Sequence, residues 1–567
     1  MKQWPVKALF GKLLKVNHIF IMKRRIILCA AVLMAAVANT FACTNLIVGK
    51  NASADGSTIV SYSADSYGLF GELYHYPAAT YPKGTMLKVY EWDTGKYLGE
   101  IEQARQTYNV VGNMNEYQVT IGETTFGGRP ELADSTGIID YGSLIYIGLQ
   151  RSRTAREAIK IMTDLVQQYG YYSEGESFTI ADPNEIWIME MIGKGPGIRG
   201  AVWVAVRVPD DCISAHANQS RIHQFDMNDK ENCMYSPDVV SFAREKGYFN
   251  GVNKDFSFSL AYAPLDFGAR RFCEARVWSY FNKFTDNGKD YLPYIEGKTN
   301  TPMPLFVKPK HKLSVQDVKD MMRDHYEGTP LDISNDFGAG PYKTPYRLSP
   351  LNFKVDGQEY FNERPISTQQ SGFVFVAQMR AHKPDPIGGV LWFGVDDANM
   401  AVFTPVYCCA TKVPVCYTRV DGADYITFSW NSAFWIFNWV ANMVYPRYDL
   451  MIGDVRATQN ELETTFNEAQ EGIEAAAVKL YEKNPETAVK FLTNYTDMTA
   501  QSTFNTWKRL GEFIIVKYND GVIRKMKDGK FERNAIGQPA GVVRPGYSKE
   551  FLEEYVKQTG ERYKVTE

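Results

Sequence analysis

From residue 43 to about residue 406 the chain alternates short runs of strand-forming residues with tight turn clusters. That alternation restricts its fold more than any other feature, because short turns between successive strands imply antiparallel sheet. Thr44–Gly49 and Ser57–Tyr62 flank the turn cluster Asn51–Gly56. Gln106–Val111 and Gln118–Glu123 flank Asn113–Glu116, and Ser177–Ala181 and Glu185–Ile192 flank Asp182-Pro183-Asn184. Ala201–Val208 and Cys212–Ala217 read as a third pair, and Phe373–Gln378, Gly389–Gly394 and Met400–Val406 as a further group. Helices are interleaved. Thr154–Tyr169 carries an apolar stripe at Ala155, Ala158, Ile159, Met162, Leu165 and Val166, and Val315–His325 follows an N-cap serine, Ser314. The class is therefore α+β. Two antiparallel sheets with helices outside satisfy the pattern, although the pattern alone does not select that architecture.

Beyond about residue 450 the character changes. Gln459–Lys483 is Ala- and Glu-rich and helical, Pro485–Thr493 and Thr503–Lys517 continue helically, Asn519-Asp520-Gly521 reads as a turn, and Ser548–Lys557 as a last helix. This divides the chain into a domain at 43–450 and a mostly helical C-terminal appendage at 451–567. Continuation of the same core is the other reading.

Residues 1–42 stand apart. They hold seven Lys or Arg and no acid. Met22-Lys23-Arg24-Arg25 is a basic start, Ile26–Ala38 a short apolar run, and Thr40-Phe41-Ala42 places small residues at −3 and −1 of a cut. This reads as a secretory signal peptide, with Met22 as an alternative start. Its apolar run is too short for a comfortable membrane span, and no run of 18 apolar residues occurs elsewhere. Without the leader, Lys and Arg fall from 62 to 55 against 65 acids, and the net charge moves from −3 to −10. Such a chain is no general nucleic-acid binder. The eight cysteines become seven, an odd number for an exported protein, and the first residue after the cut is Cys43.

Three roles compete for Cys43: a lipoprotein anchor, a passive residue, and an N-terminal nucleophile. The anchor motif wants a Leu-like residue at −3, where this chain has Thr40. The nucleophile is chemically favoured. A thiol titrating near 8.5 and an α-amine near 7.7–8.0 supply attacking group and base from one residue, and leader removal frees the amine. A hairpin over 44–62 would also bring Asp65 back towards Cys43, where a carboxylate can orient the amine.

At these residues the sequence resembles the PepD-type cysteine dipeptidases, N-terminal nucleophile hydrolases related to secernins and, more distantly, to penicillin V acylases and bile salt hydrolases. The resemblance rests on Cys43-Thr-Asn-Leu-Ile-Val-Gly-Lys50, Ala52-Ser-Ala-Asp-Gly-Ser-Thr58 and Asp65-Ser66. It continues through Gly112–Glu116, Glu123-Thr124, Ala217–Ile222, Arg323–Pro330, Gly340-Pro341, Pro345–Arg347, Arg364–Ser367 and Gly388–Gly394, spanning roughly residues 43–450. It implies a four-layer αββα sandwich. It also implies roles near the nucleophile, for the oxyanion and for orientation, at Asn115 and Asn218. One position departs from the family: Tyr62 stands where an Arg three residues before Asp65 is usual. Arg271, in Asp266-Phe-Gly-Ala-Arg-Arg-Phe272, is the candidate to replace that charge, by weak resemblance to an Arg-Phe pair of the acylases.

The remaining chemistry-bearing residues are read as structural. His325 is assigned to a helix end, since the α-amine already serves as base. The histidines form no metal-binding spacing and no Cys-x-x-Cys exists, so neither metal nor cofactor is expected. Cys212, Cys233, Cys273, Cys408, Cys409 and Cys416 permit three disulfides, with Cys408 or Cys409 to Cys416 across a hairpin, or remain buried thiols. The expectation is an exported dipeptidase, periplasmic or secreted, acting on small peptides through Cys43, Asp65, Asn115, Asn218 and Arg271. An N-acyl amide hydrolase and a non-catalytic surface lipoprotein are the alternatives.

Overall fold

The computed structural model describes residues 43–348 and 351–566. The leader read at 1–42, with its alternative start, lies outside the described residues. Two main sheets are built from β1 (Asn45–Val48), β2 (Thr58–Asp65), β3 (His75–Tyr76), β4 (Val110–Val111), β5 (Met114–Asn115), β6 (Thr120–Gly127), β7 (Gly175–Ala181), β8 (Ile186–Gly193), β9 (Ala201–Arg207), β10 (Ile213–His216), β11 (Cys233–Tyr235), β12 (Ser371–Met379), β13 (Val390–Val395) and β14 (Thr404–Tyr407). The six-stranded sheet has the order β10-β1-β2-β12-β13-β14 and the eight-stranded sheet β11-β9-β8-β7-β6-β5-β4-β3. Neighbouring strands in both run antiparallel, and the class is α+β as the sequence implies.

The sheets face each other through β1, β2 and β10 on one side and β6 and β7 on the other. His216 of β10 spans the gap, with Thr124 Oγ1 2.7 Å from Nδ1 and Thr179 Oγ1 2.6 Å from Nε2. Burial, with a smaller contribution from the Arg221 charge, pushes its pKa down to about 3, so it is a neutral crosslink. Close approach depends on Gly122, where an added Cβ would lie 2.3 Å from Asn45 Oδ1.

Seven helices enter the argument: α1 (Tyr141–Arg151), α2 (Ala155–Tyr169), α3 (Ala275–Phe284), α4 (Val315–Met321), α5 (Ala433–Val444), α6 (Tyr448–Lys483) and α7 (Pro485–Tyr518). Leu144, Ala158 and Met162 of α1 and α2 share a buried cluster with Ile121, Phe178, Ile180 and Trp187 of the eight-stranded sheet. α3 packs on β10, α4 on β2 and β12, and α5 and α7 on β13 and β14. Ser314 caps α4 as expected and Thr154 caps α2, accepting from the Glu157 N–H, but α4 ends at Met321 rather than continuing to His325.

Two strand pairings and a further helix differ from the sequence reading. Val110–Val111 pairs with Met114–Asn115, which stands between it and β6. Ala201–Arg207 and Ile213–His216 are both strands, but they do not pair with each other. The intervening Pro209-Asp210-Asp211 carries the chain from one sheet to the other, and Ile213–His216 pairs instead with β1. Gly49 permits that crossing, since a Cβ there would lie 2.5 Å from the Asp210 carbonyl oxygen. The two helical stretches after Pro485 are one helix of 34 residues. It starts on Asn484, whose side chain accepts from the Glu486 and Thr487 N–H groups, with Pro485 at its first position. No described cysteine forms a disulfide; all seven are free thiols.

α6 and α7 join the main core: Met451, Val455, Phe466, Leu492 and Trp507 belong to the same buried cluster as the sheet residues. α6 also carries two buried carboxylates to arginines of the catalytic part. Glu474 meets Arg380 at 2.6 Å, and Glu463 meets Arg323 at 2.5 Å. Burial alone would push the Glu463 carboxyl up, but the charges of Arg323 and Lys319, with hydrogen bonds from Arg323 and the Phe403 N–H, outweigh it and hold its pKa below the usual value. A depressed folded pKa contributes stability that is present above the unfolded value and lost as pH falls through the folded one. Glu463→Gln is expected to cost about 3–5 kcal/mol in urea unfolding at neutral pH, because it leaves the buried Arg323 with only the more exposed Asp320 as a countercharge. The difference from wild type should shrink as pH falls below about 4.5; a cost that persists undiminished there would assign it to packing instead.

Candidate active site

Cys43 stands immediately before β1 and is 4% exposed. The hairpin of β1 and β2 pairs Ile47 with Val60, and the bridge between Thr44 and Ser63 extends this register back towards Cys43, placing Tyr62 and Asp65 beside it. The thiol lies 3.7 Å from the Tyr62 hydroxyl and donates to Glu123 Oε1 at 3.6 Å, while Tyr62 donates to the same oxygen at 2.5 Å. Glu123 is on β6, where β5 pairs only at Thr120. That leaves an open strand edge for the start of β1, and Asn45 Nδ2 donates to the Glu123 carbonyl there at 2.8 Å.

Burial pushes the Cys43 pKa well up; the negative charges of Glu123 and Asp65 add to this, against weaker opposition from the Asp65 N–H and the Tyr62 hydroxyl. The resting sulfur is therefore a neutral thiol and needs a base at the moment of attack.

Arg276 of α3 organises the backbone around it. Its guanidinium donates to the Cys43 carbonyl at 2.5 Å, Thr44 Oγ1 at 2.8 Å, the Ala217 carbonyl at 3.1 Å, Asn218 Oδ1 at 2.9 Å and the Phe272 carbonyl at 2.6 Å. Asn218 thus joins the Cys43 cluster through Arg276. It adopts φ 61°, a left-handed conformation that Asn tolerates, and its amide donates to the Thr125 carbonyl at 2.8 Å. Asp65 is fixed by Arg364 at 2.5 Å and by the Ser371 hydroxyl at 2.6 Å.

The other two expected residues have different partners. Asn115 gives both amide hydrogens to the Leu149 and Ser152 carbonyls, each at 2.8 Å, and accepts the Tyr117 and Val119 N–H groups, so its side chain locks its own turn. Arg271 pairs with Glu363 and lies over the Phe361 ring. The arginine at the Cys43 backbone is Arg276, five residues further on. Its sequence signal is a lone Arg in the apolar run Ala275–Phe284; Arg364 and Glu123, though inside matching motifs, carry no sequence signal of their roles. His325 bonds Glu327 and packs against Tyr346. Among the described residues no group of three or more His, Cys, Asp or Glu stands ready to hold a metal ion.

Residues 42–75 and 69–461 match peptidase family C69. The chain belongs to peptidase family C69. It is 29% identical over 400 residues to a probable dipeptidase of Salmonella dublin, covering 67% of this chain and 84% of that protein. It is 27% identical over 478 residues to a probable dipeptidase of Latilactobacillus sakei, covering 80% and 90%. It is also 23% identical over 418 residues to dipeptidase A of Lactobacillus helveticus, covering 70% and 80%. The C69 match begins one residue before Cys43 and ends within α6.

Arg276→Lys keeps a positive charge but cannot reach five acceptors. It is expected to lower peptidase kcat by about tenfold or more with a smaller change in KM, in line with charged hydrogen bonds of about 1.5–3 kcal/mol; an unchanged kcat in steady-state assays would show that Arg276 does not hold the reactive backbone. Labelling of Cys43 by iodoacetamide, followed by mass spectrometry, should still be rising with pH beyond the ordinary thiol value of about 8.5. Glu123→Gln removes a like charge and should move that rise to lower pH.

Proposed function

We propose that this protein is an exported dipeptidase whose nucleophile is Cys43, exposed as the N-terminal residue by removal of residues 1–42. The observation that carries the reading is the buried Cys43 thiol at the start of β1, with its carbonyl held by Arg276 and its sulfur facing Tyr62 and Glu123. The neutral thiol requires a nearby base, and the freed α-amine of the same residue supplies one within reach. In this mechanism the amine takes the thiol proton and the sulfur attacks the scissile carbonyl carbon. The tetrahedral intermediate collapses as the amine protonates the leaving nitrogen. Water then cleaves the thioester with the amine again as base. Asp65, immobilised by Arg364 and Ser371, orients the amine, and Asn218, aligned by Arg276, orients the reacting carbonyl. Asn115 is given no direct part here, because donating to an oxyanion would require it to release two backbone carbonyls.

Several features support the reading. The stacking of helices, sheet, sheet and helices is what an N-terminal nucleophile hydrolase of αββα type requires. The named relatives are dipeptidases or probable dipeptidases. The basic and apolar leader argues for export to the periplasm or beyond, and no helix among the described residues is long and apolar enough to cross a membrane. The mechanism calls for no cofactor.

The test joins two measurements on the processed protein. Mass spectrometry of its N-terminus should return unmodified Cys43 as the first residue. Cys43→Ala should lower hydrolysis of dipeptides by on the order of 10⁴-fold or more, the scale of nucleophile loss. Wild-type turnover in Cys43→Ala, or a diacylglyceryl mass on Cys43, would falsify the proposal. Faster cleavage of N-acyl amino acids than of dipeptides would transfer it to the acylase alternative.

A further inference from the structure

Beside the sulfur lies a pair of carboxylates that the mechanism above does not use. The β6–β7 register sets Glu176 directly opposite Thr125, and therefore diagonal to Glu123 on the same face. Glu123 is 1% exposed and Glu176 fully buried. One oxygen of each is occupied: Glu123 Oε1 by Tyr62, and Glu176 Oε1 by the Thr125 hydroxyl at 2.5 Å. The other oxygen of each, Oε2, is buried with no hydrogen-bond partner outside the pair.

Several other buried acids are matched by cations, although Asp140 and Asp396 also keep one buried oxygen without a partner. Asp65, Glu274, Glu463 and Glu474 are also buried, and each faces an arginine at 2.5–2.9 Å. Glu123 and Glu176 form no ion pair with any Lys or Arg of the described residues. A buried carboxylate without a donor is costly unless it is neutralised or meets a cation. Burial pushes both up, and the charge of Glu123 and a hydrogen bond to it raise Glu176 further, so a shared proton rather than a cation neutralises the pair at rest.

Distance defines which cation suits the place. In a dipeptide the α-nitrogen lies two bonds from the scissile carbonyl carbon, about 2.5 Å away. An attacking atom approaches that carbon to about 3–3.5 Å, and a charged N–H···O hydrogen bond spans about 2.7–2.9 Å. Glu123 Oε1 is 3.6 Å from the sulfur. Oε1 is the oxygen that Tyr62 occupies, and the unpartnered Oε2 belongs to the same carboxyl, so an ammonium held at Oε2 carries the adjoining carbonyl within reach of Cys43. An N-acylated peptide has no charge to offer there and would leave the acids unmatched, which is the stronger form of discrimination.

We propose that Glu123 and Glu176 form the subsite for the substrate's free α-ammonium group, which restricts the enzyme to peptides with an unblocked N-terminus. This rests on the reading of Cys43 as the peptide nucleophile. The test uses the best-cleaved member of a dipeptide panel, its N-acetyl derivative, and its desamino analogue with the amine replaced by hydrogen. Wild type should favour the free amine. Glu123→Gln should reduce the kcat/KM ratio of dipeptide to desamino analogue by about 10–100-fold, mainly through KM, the scale of a lost charged hydrogen bond. An equal loss on both substrates overturns the inference and leaves the dipeptidase reading standing, since it assigns Glu123 to the thiol. A wild type that cleaves no dipeptide overturns both. Should Glu123→Gln fail to fold by thermal unfolding, the same ratio is read in Glu176→Gln, where the same two results decide.

Discussion

The guanidinium of Arg276 holds the segment around Cys43 together. It reaches the Cys43 carbonyl, the Thr44 hydroxyl, and the Ala217 and Asn218 oxygens, while its own helix supplies the Phe272 carbonyl. Those acceptors come from the start of β1, the turn after β10 and the base of α3. A planar group with five donors is suited to fixing them at once. With the Thr44–Ser63 bridge, this anchor fixes the segment leading into β1. The six-stranded sheet thus gains a defined beginning, and the thiol a fixed direction.

The consequence is electrostatic. Arg276 binds backbone, hydroxyl and amide oxygens, and Arg364 binds Asp65. The groups in contact with the sulfur are a phenol and a carboxyl, which leave it protonated. A neutral thiol is compatible with the proposed mechanism, in which the base is present only once Cys43 has a free α-amine. Tyr62 fits that logic. A cation in its place would ion-pair with Glu123, whereas the Tyr62 hydroxyl occupies one oxygen of that carboxyl and brings it no countercharge.

The C-terminal helices carry the same principle away from the site. Glu463 and Glu474 of α6 neutralise Arg323 and Arg380, which belong to the turn after α4 and the end of β12. Long helices with few strongly apolar positions read in sequence as an appendage. In the fold their few buried residues, Phe466, Leu492 and Trp507 among them, join the main core. The sequence reading broke α7 in two because residues 494–502, rich in Thr and polar side chains, give no helical stripe, and packing against β14 carries the helix through them.

Local physics made a good part of this protein legible. The turn cluster Asn51–Gly56 between two apolar runs sets the first hairpin and brings Asp65 alongside Cys43; the stripe at Ala155–Val166 sets α2, and the alternation at Ile186–Met191 sets β8. Asn218 could be singled out by motif, but its partner could not. Arg276 meets Cys43 across 233 residues, Glu176 lies opposite a residue 51 positions away, and Ile213–His216 crosses to the other sheet to pair with β1. The sequence reading singles out Arg271 by an Arg-Phe resemblance, whereas the arginine that reaches the Cys43 carbonyl is Arg276, five residues further along the chain. The sequence by itself determined the class of fold, the hairpin and the cysteine at its head. Tertiary structure decided which charges surround that cysteine, because contacts between distant segments are chosen by how sheets and helices pack and not by any local preference of the residues that make them.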